Sequence, residues 1–442
     1  MPLQKRFFSS PGRAILCSVL FTIMFGALLL SCSWAQRIPI SFIDALFTAT
    51  SATCVTGLMT IPLAAFTTAG QIIILCLIQI GALGLVTLTI FLLSLFVNVG
   101  LSTSSMTGEI LEVGMIRHPR QMVFFIIIFT IVVEFCGFLI LFLMTRHLFP
   151  FPQSIFFALF QAVSAFCNAG FILLPYQIFF SHPGILATTA TLVLIGGLGF
   201  IVWAEIARYI RSFQEMKHFH LSLHSKLVLA TTTFLIAFLG LIIFLLEYVR
   251  AFFMHPSLTL VTNTLFNAIC LRSAGFTTLD LSAIHLATVF VIMIVAFIGS
   301  SPGSVGSGIK TTTFAVFVAA IRATVLRRTW VEIMGRTIPN EQVFKAMAIF
   351  SLSLCWVAAT IFFLLLTEQG WRFIDIIFEA FAAFSNLGLS TGITPHLSSQ
   401  GKCIIMISMF IGRIGSLTLL LALRKQRSTQ EFHYPEESVL MS

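Results

Sequence analysis

FIDALFTATSATCVTGL, residues Phe42–Leu58, decides how the rest of the chain is read. A short stretch of apolar and small residues runs into a glycine and stops. A helix needs about 20 such residues to cross a bilayer, so this segment enters a membrane without crossing it. The pattern returns as SAFCNAGF at Gly170, CLRSAGFTT at Gly275 and AAFSNLGLSTG at Gly388. From Gly57 onward these glycines are 113, 105 and 113 residues apart. Upstream residues agree as well: Phe42-Ile43-Asp44 matches Phe373-Ile374-Asp375, and Ala45-Leu46-Phe47 matches Ala158-Leu159-Phe160. The third copy, TLFNA from Thr264, is one residue shorter between its phenylalanine and its glycine.

Self-similarity at a fixed period marks one structural unit used repeatedly. Each unit opens with a long apolar run, starting near Ala14, Gln121, Lys226 and Gln342. A turn leads into the short segments Ser41–Thr53, Gln153–Phe166, Ser257–Cys270 and Trp371–Phe384. A second apolar run then returns, as in Gln71–Val97 and Gly184–Ala207. Backbone that enters a bilayer without crossing must be buried in protein or line a water path. The expected fold is therefore an all-α polytopic membrane protein of four M1–pore helix–M2 repeats. It has about eight spanning helices and four re-entrant pore helices, with pseudo-fourfold symmetry around one pore. The expected units are 1–100, 101–212, 213–330 (with a loop at 298–313) and 331–424, followed by a tail at 425–442.

Composition agrees. Of 442 residues, 58% are hydrophobic and only 9% charged, where soluble domains carry about 25% charged residues. The net charge of +9 fits basic cytoplasmic loops rather than nucleic-acid binding. Of the 25 Lys and Arg residues, Arg37, Arg146, Arg250, Arg372 and Lys402 fall on outer segments, and Arg272, Lys310 and Arg413 fall in or beside the pore. The remaining seventeen fall on one side, which puts both termini in the cytoplasm of a cell with this protein in its inner membrane. The nine cysteines are scattered, without metal-ligand or disulfide spacing. His218, His220 and His224 read as a solvated basic loop. Lys5, Arg6 and Arg13 before Ala14–Leu30 imitate a secretory signal, but the repeat needs this run as its first helix. No Ser/His/Asp set or paired carboxylates point to an enzyme.

Four half-helices with their C-terminal ends toward one axis favour a cation there. Backbone carbonyls can replace the water around it. The candidate ligands are Val55-Thr56-Gly57, Asn168-Ala169-Gly170, Ser273-Ala274-Gly275 and Asn386-Leu387-Gly388, with a further ring at Cys54, Cys167, Arg272 and Ser385. Side chains differ along every row, so the shared chemistry lies in the backbone. Arg272 is expected to point behind this filter and pair with carbonyls or with an acid, Glu379, Asp375 or Asp44 being the candidates. Arg413 is expected to be a barrier or a gate anchor below it, or a structural partner of Glu134 or of a helix end. A secondary transporter of another small cation, ammonium or amino acids is the competing class, but it does not need four re-entrant segments in register.

FIGSSPGSVGSGIKTTTF, Phe297–Phe314, nearly matches a phosphate-binding loop, but Ile309 separates Gly308 from Lys310. It also follows an apolar run, Ile284–Ile298, too short to span. It reads as a break in the third M2, with Gly303, Gly306 and Gly308 giving it mobility and Lys310 holding it closed.

These features resemble the superfamily of K⁺ transporters containing TrkH and KtrB. VTGL, NAGF, RSAGF and NLGLSTG look like its filter signatures, GIKTTTF like its intramembrane loop, and MFIGRIGSLTLLLAL (Met409–Leu423) like the last KtrB helix. Pro302 stands where the family shows more glycine. The resemblance implies K⁺ uptake, Na⁺ dependence in many KtrB-type members, and a homodimer of pores in membrane lipid. It also implies a cytoplasmic RCK-type regulatory subunit (KtrA- or TrkA-like) that carries the nucleotide. No cofactor or structural metal is expected in this chain itself.

Overall fold

The computed structural model describes residues 11–98, 119–214, 220–249 and 258–415. Lys5, Arg6, His218 and the tail at 425–442 lie outside the described residues.

The four-part pattern folds as four helical triads. The first comprises α1 (Pro11–Leu30), α2 (Phe42–Thr53) and α3 (Thr68–Asn98). The second comprises α4 (Pro119–Thr145), α5 (Phe151–Phe166), a short α6 (Tyr176–Ser181), α7 (Pro183–Leu198) and α8 (Phe200–Gln214). The third holds α9 (Leu223–Ile243), α10 (Leu258–Cys270), α11 (Leu286–Phe297) and α12 (Thr311–Val325). A two-stranded hairpin, β1 (Glu332–Ile333) with β2 (Arg336–Thr337), precedes the fourth triad. That triad is α13 (Asn340–Thr367), α14 (Phe373–Ser385) and α15 (Ser399–Ile414).

Local chemistry fixes the starts of these helices. Ser41 caps α2 by accepting from Asp44 N at 3.2 Å and donates to the Asp44 carboxylate at 2.6 Å. Ser222 and Ser398 cap α9 and α15 in the same way. Pro152 sits in the first turn of α5, where its missing N–H costs nothing. Glu205 on α8 in turn accepts from the Ser222 hydroxyl at 2.9 Å and its N–H at 3.1 Å, joining the second and third triads.

Three described helices are long and apolar enough to cross a membrane alone, at Gln121–Thr145, Leu223–Tyr248 and Asn340–Thr367. Two of the return helices are broken, whereas α3 runs unbroken over Thr68–Asn98. α7 and α8 pass only as a pair bent by 96° at Gly199. The loop at 298–310 splits α11 from α12, and α15 ends at Gly415. The third break was expected from its insert. The second has no insert, and only Gly199, with φ 95°, marks it.

Packing closes the triads into a ring in sequence order. Each return helix packs on the pore helix of the next triad: α3 on α5, α7 on α10, α11 on α14 and α15 on α2. The aligned phenylalanines Phe47, Phe160, Phe266 and Phe378 are all fully buried at the centre. Phe21, Phe124, Phe234 and Phe344 on the first helices face outward and are 63–70% exposed, as a lipid-facing surface requires. At the rim, Lys402 Nζ donates to Asp44 Oδ1 at 2.6 Å and fastens the last triad to the first.

Candidate filter and intramembrane loop

Three of the four pore helices end alike. Val55 N donates to Ala52 O at 3.1 Å and Thr56 N to Ser51 O at 2.7 Å. The same pair of bonds recurs at Asn168 and Ala169 (3.1 and 2.8 Å) and at Asn386 and Leu387 (3.3 and 2.9 Å). Val55, Asn168 and Asn386 are left-handed, with φ 58°, 58° and 52°. This is a Schellman ending, which turns the chain sharply while its last carbonyls stay bonded. Asparagine tolerates the conformation; a β-branched valine is an outlier there. The third repeat differs. Ser273 N and Ala274 N both donate to Cys270 O, at 3.2 and 2.9 Å, and Arg272 and Ser273 are not left-handed. The residue missing between Phe266 and Gly275 is the one a Schellman turn would use.

All four glycines then have positive φ: 94° at Gly57, 72° at Gly170, 69° at Gly275 and 78° at Gly388. Each lies against the carbonyl that precedes the next repeat's glycine. A Cβ on Gly57 would stand 2.5 Å from Ala169 O, and one on Gly170 2.9 Å from Ala274 O. On Gly275 it would overlap Leu387 O, and on Gly388 it would overlap Thr56 O, closing the ring. Conformation and space both demand glycine here. The four glycines and the carbonyls of Thr56, Ala169, Ala274 and Leu387 thus form one closed collar.

Buried polar groups on the pore helices brace the collar from behind. Ser51 Oγ accepts from Gly57 N at 3.0 Å, and Ser164 Oγ from Phe171 N at 3.1 Å. Asn267 accepts from Thr278 N at 2.9 Å. Glu379 accepts from Ser390 Oγ at 2.9 Å and from the Thr394 hydroxyl.

Arg272 pairs with none of the expected acids. Asp44 is held by Lys402, Asp375 by Arg372 at 2.8 Å, and Glu379 by Ser390 and Thr394. Arg272 is 2% exposed, and its Nε and Nη1 have no partner among the described residues. Its tip lies beside Gly197 of α7, where a Cβ would stand 3.0 Å from Nη2 and 3.3 Å from Asn168 Nδ2. The guanidinium fills the space a larger residue would take.

A second set of glycines escaped the sequence reading. Gly81, Gly196, Gly299 and Gly412 follow the collar glycines by 24, 26, 24 and 24 residues. A Cβ on Gly81 would overlap Thr53 O, on Gly196 Phe166 O, and on Gly412 Phe384 O. In three repeats the return helix therefore presses on the end of its own pore helix. In the third, Gly299 presses instead on Ser307 O of the loop. The repeated G-x-x-[GP] at 81–84, 196–199, 299–302 and 412–415 was the available signal.

The loop is a closed, buried knot. Ser300 N donates to Ser307 O at 3.0 Å and Thr311 N to Ser300 O at 3.2 Å. Ser304 Oγ reaches Ser301 O at 2.6 Å. Gly303 and Gly308 take φ 67° and 79°, and Gly306 lies against Ser300 too closely for any Cβ. The bent second return helix receives the loop on its freed backbone. Phe200 N donates to Gly303 O (2.9 Å), Ser301 N to Gly197 O (3.2 Å) and Val305 N to Gly196 O (3.3 Å). Gly199 lies beneath Pro302 O. Lys310 Nζ donates to Gly306 O at 2.8 Å, within its own loop.

Arg413 crosses from the fourth repeat to the loop. Its Nη1 donates to Val305 O and, at 3.2 Å, to Ser307 Oγ. Its Nη2 donates to Gly81 O at 2.7 Å and Ala82 O at 3.3 Å. Glu134 is not its partner; that carboxylate accepts from Gln79 Nε2 at 3.1 Å, beside Cys167. Of the further candidate ring, Cys54 O accepts from Asn386 Nδ2 at 3.0 Å, and Ser385 Oγ donates to Phe381 O at 2.6 Å.

Comparison with known proteins places these features. A family model described as TrkH, cation transport protein, matches residues 18–434. The Ktr system potassium uptake protein B of Bacillus subtilis is 36% identical, over 97% of this chain and 96% of its own. The potassium/sodium uptake protein NtpJ of Enterococcus hirae is 34% identical, over 98% and 97%. The crystal structure of the potassium transporter TrkH from Vibrio parahaemolyticus superposes with a TM-score of 0.73 at 20% identity. It covers 93% of this chain and 84% of that one, a likeness of fold. With the family match across nearly its whole length, the chain belongs to the TrkH family of cation transport proteins.

Proposed function

We propose that this chain is the ion-translocating subunit of a K⁺ uptake system, with the collar as its selectivity filter. The observation that carries this is the closed ring of four left-handed glycines, each seated on the next repeat's carbonyl. Carbonyls of Val55-Thr56-Gly57 and its three counterparts replace the water of a cation without fixed charge in the path. The pore helices aim their partial negative ends at the same place. Two near relatives carry potassium uptake in their names, one of them together with sodium. We read K⁺ as the transported ion and Na⁺ as a companion or competitor.

The loop at 298–310 is the gate in this reading. It lies between α11 and α12, tied by backbone hydrogen bonds twice to α7 and once to α8, and to α3 and α15 through Arg413. Gly303, Gly306, Gly308 and Lys310 shape and hold it. Opening it requires these few bonds to break, which a partner pulling on α12 could do. The partner is a cytoplasmic RCK-type subunit that carries the regulating nucleotide. The chain works as a homodimer in the inner membrane with both termini inside, and its four repeats divide at 1–100, 101–212, 213–330 and 331–424.

The test is growth at low K⁺, with Rb⁺ uptake, in cells lacking their own K⁺ uptake systems and supplied with the partner subunit. K⁺-dependent growth and saturable Rb⁺ flux support the reading. Absence of both, with the protein folded in the membrane, overturns it.

A further inference from the structure

We propose that Asn386 ties the position of the loop to the ion affinity of the filter, so that the loop sets how tightly the pore holds K⁺ as well as whether it is open. This rests on the filter reading above and goes beyond it. Asn386 is the left-handed residue that ends α14, two positions before Gly388, and it is 1% exposed. Its Nδ2 has two hydrogens and two acceptors, Cys54 O at 3.0 Å and Ser307 Oγ at 3.0 Å. Its Oδ1 has no partner among the described residues. One amide therefore joins a carbonyl at the end of the first pore helix to a hydroxyl in the loop.

Ser307 fixes which way the amide faces. Arg413 Nη1 also donates to Ser307 Oγ, so the clamp that holds the loop holds this hydroxyl. Gly299 lies against Ser307 O, in the seat that the other three return helices give to a pore-helix end. Moving the loop withdraws Ser307 from both contacts. The amide then loses one of its two anchors and is free to rotate. Cys54 O, no longer held by an amide hydrogen, becomes available to the ion. A carbonyl already engaged by a donor is a poorer ligand than a free one, and the difference is that of one buried hydrogen bond.

Asn386 acts here through Cys54 and is a positioning residue. Ser307→Ala removes the anchor and leaves the filter backbone untouched. Asn386→Gly removes the amide and keeps a residue that accepts φ 52°. Rb⁺ uptake is measured over a range of concentrations for each variant, for the double variant, and for Gly57→Ser. Both single variants should lower the half-saturating concentration about threefold, the effect of one net hydrogen bond, and the double variant should go no further. A purely structural role would raise that concentration or reduce folded protein. If Gly57→Ser changes half-saturation while Ser307→Ala and Asn386→Gly do not, or if their effects add, the coupling is overturned and the filter reading stands. If Gly57→Ser also changes nothing, both fall.

Discussion

Arg413 Nη2 donates to the carbonyl of Gly81 at 2.7 Å, joining the last described helix to the first return helix across 332 residues of sequence. The other nitrogen of the same guanidinium holds the loop through Val305 O and Ser307 Oγ. One side chain thus fastens three of the four repeats beneath the collar. A charge placed inside an apolar assembly without a carboxylate partner needs such a set of carbonyls and an electrostatic purpose. Here it stands directly below a candidate cation path.

Removing that guanidinium should release the loop. Arg413→Ala is expected to raise basal Rb⁺ flux severalfold, because a clamp and a positive barrier vanish together. Arg413→Lys should give an intermediate value, since an ammonium cannot span Gly81 O and Val305 O as a planar fork does. Flux assays on protein shown to be monodisperse in detergent decide this; flux unchanged in both variants counts against the clamp.

Shortening the knot tests the gate itself. Deleting Ser301–Ser307 removes the segment bonded to Gly196, Gly197, Asn386 and Arg413. Basal flux should rise even without a partner subunit. An assembled deletion variant that conducts no faster than the parent would show that the path is closed elsewhere.

The second glycine set carries a stability prediction. Gly196→Ala and Gly412→Ala each place a methyl group on a pore-helix carbonyl, Phe166 O or Phe384 O. Overpacking of this kind costs about 1–3 kcal/mol. Thermal melting in detergent should drop for both. Gly84→Ala, on helix α3 where the added Cβ would meet only Ile80 Cγ2 at 3.6 Å, an ordinary contact, serves as the comparison. Equal melting of all three would mean that the return helices can shift without cost.

At the rim, Asp44→Asn should separate the first and last repeats. The Lys402–Asp44 pair is 13% and 15% exposed, so losing it should cost about 1–2 kcal/mol, between surface and buried values. Melting temperature should fall and recover in part with Lys402→Met. No recovery would mean that Asp44 acts chiefly through its Ser41 cap.

The helical triads and the collar were legible because their causes are local and repeated. Four glycines at near-even spacing marked the pore helices, and the one-residue deficit after Phe266 coincides with the different exit of the third repeat. The break before Lys310 was legible from its run of glycine and serine. What escaped depends on contacts between distant segments. Nothing near Arg413 names Gly81 as its partner, and nothing near Arg272 says that it will lie against Gly197 rather than an acid. Gly199, at the bend between α7 and α8, lies against Pro302 O from a hundred residues later in the chain. Val55 is held left-handed by its helix end against its own preference.

A glycine collar that selects K⁺ must discriminate it from Na⁺. Rb⁺ uptake into vesicles holding this chain and its partner subunit, competed by K⁺ or by Na⁺, tests it most directly, with Gly388→Ser measured beside the parent. K⁺ should compete at much lower concentration than Na⁺ in the parent, and the gap should narrow in the variant. Equal competition by the two ions in the parent, or an unchanged gap in a folded Gly388→Ser variant, would contradict it.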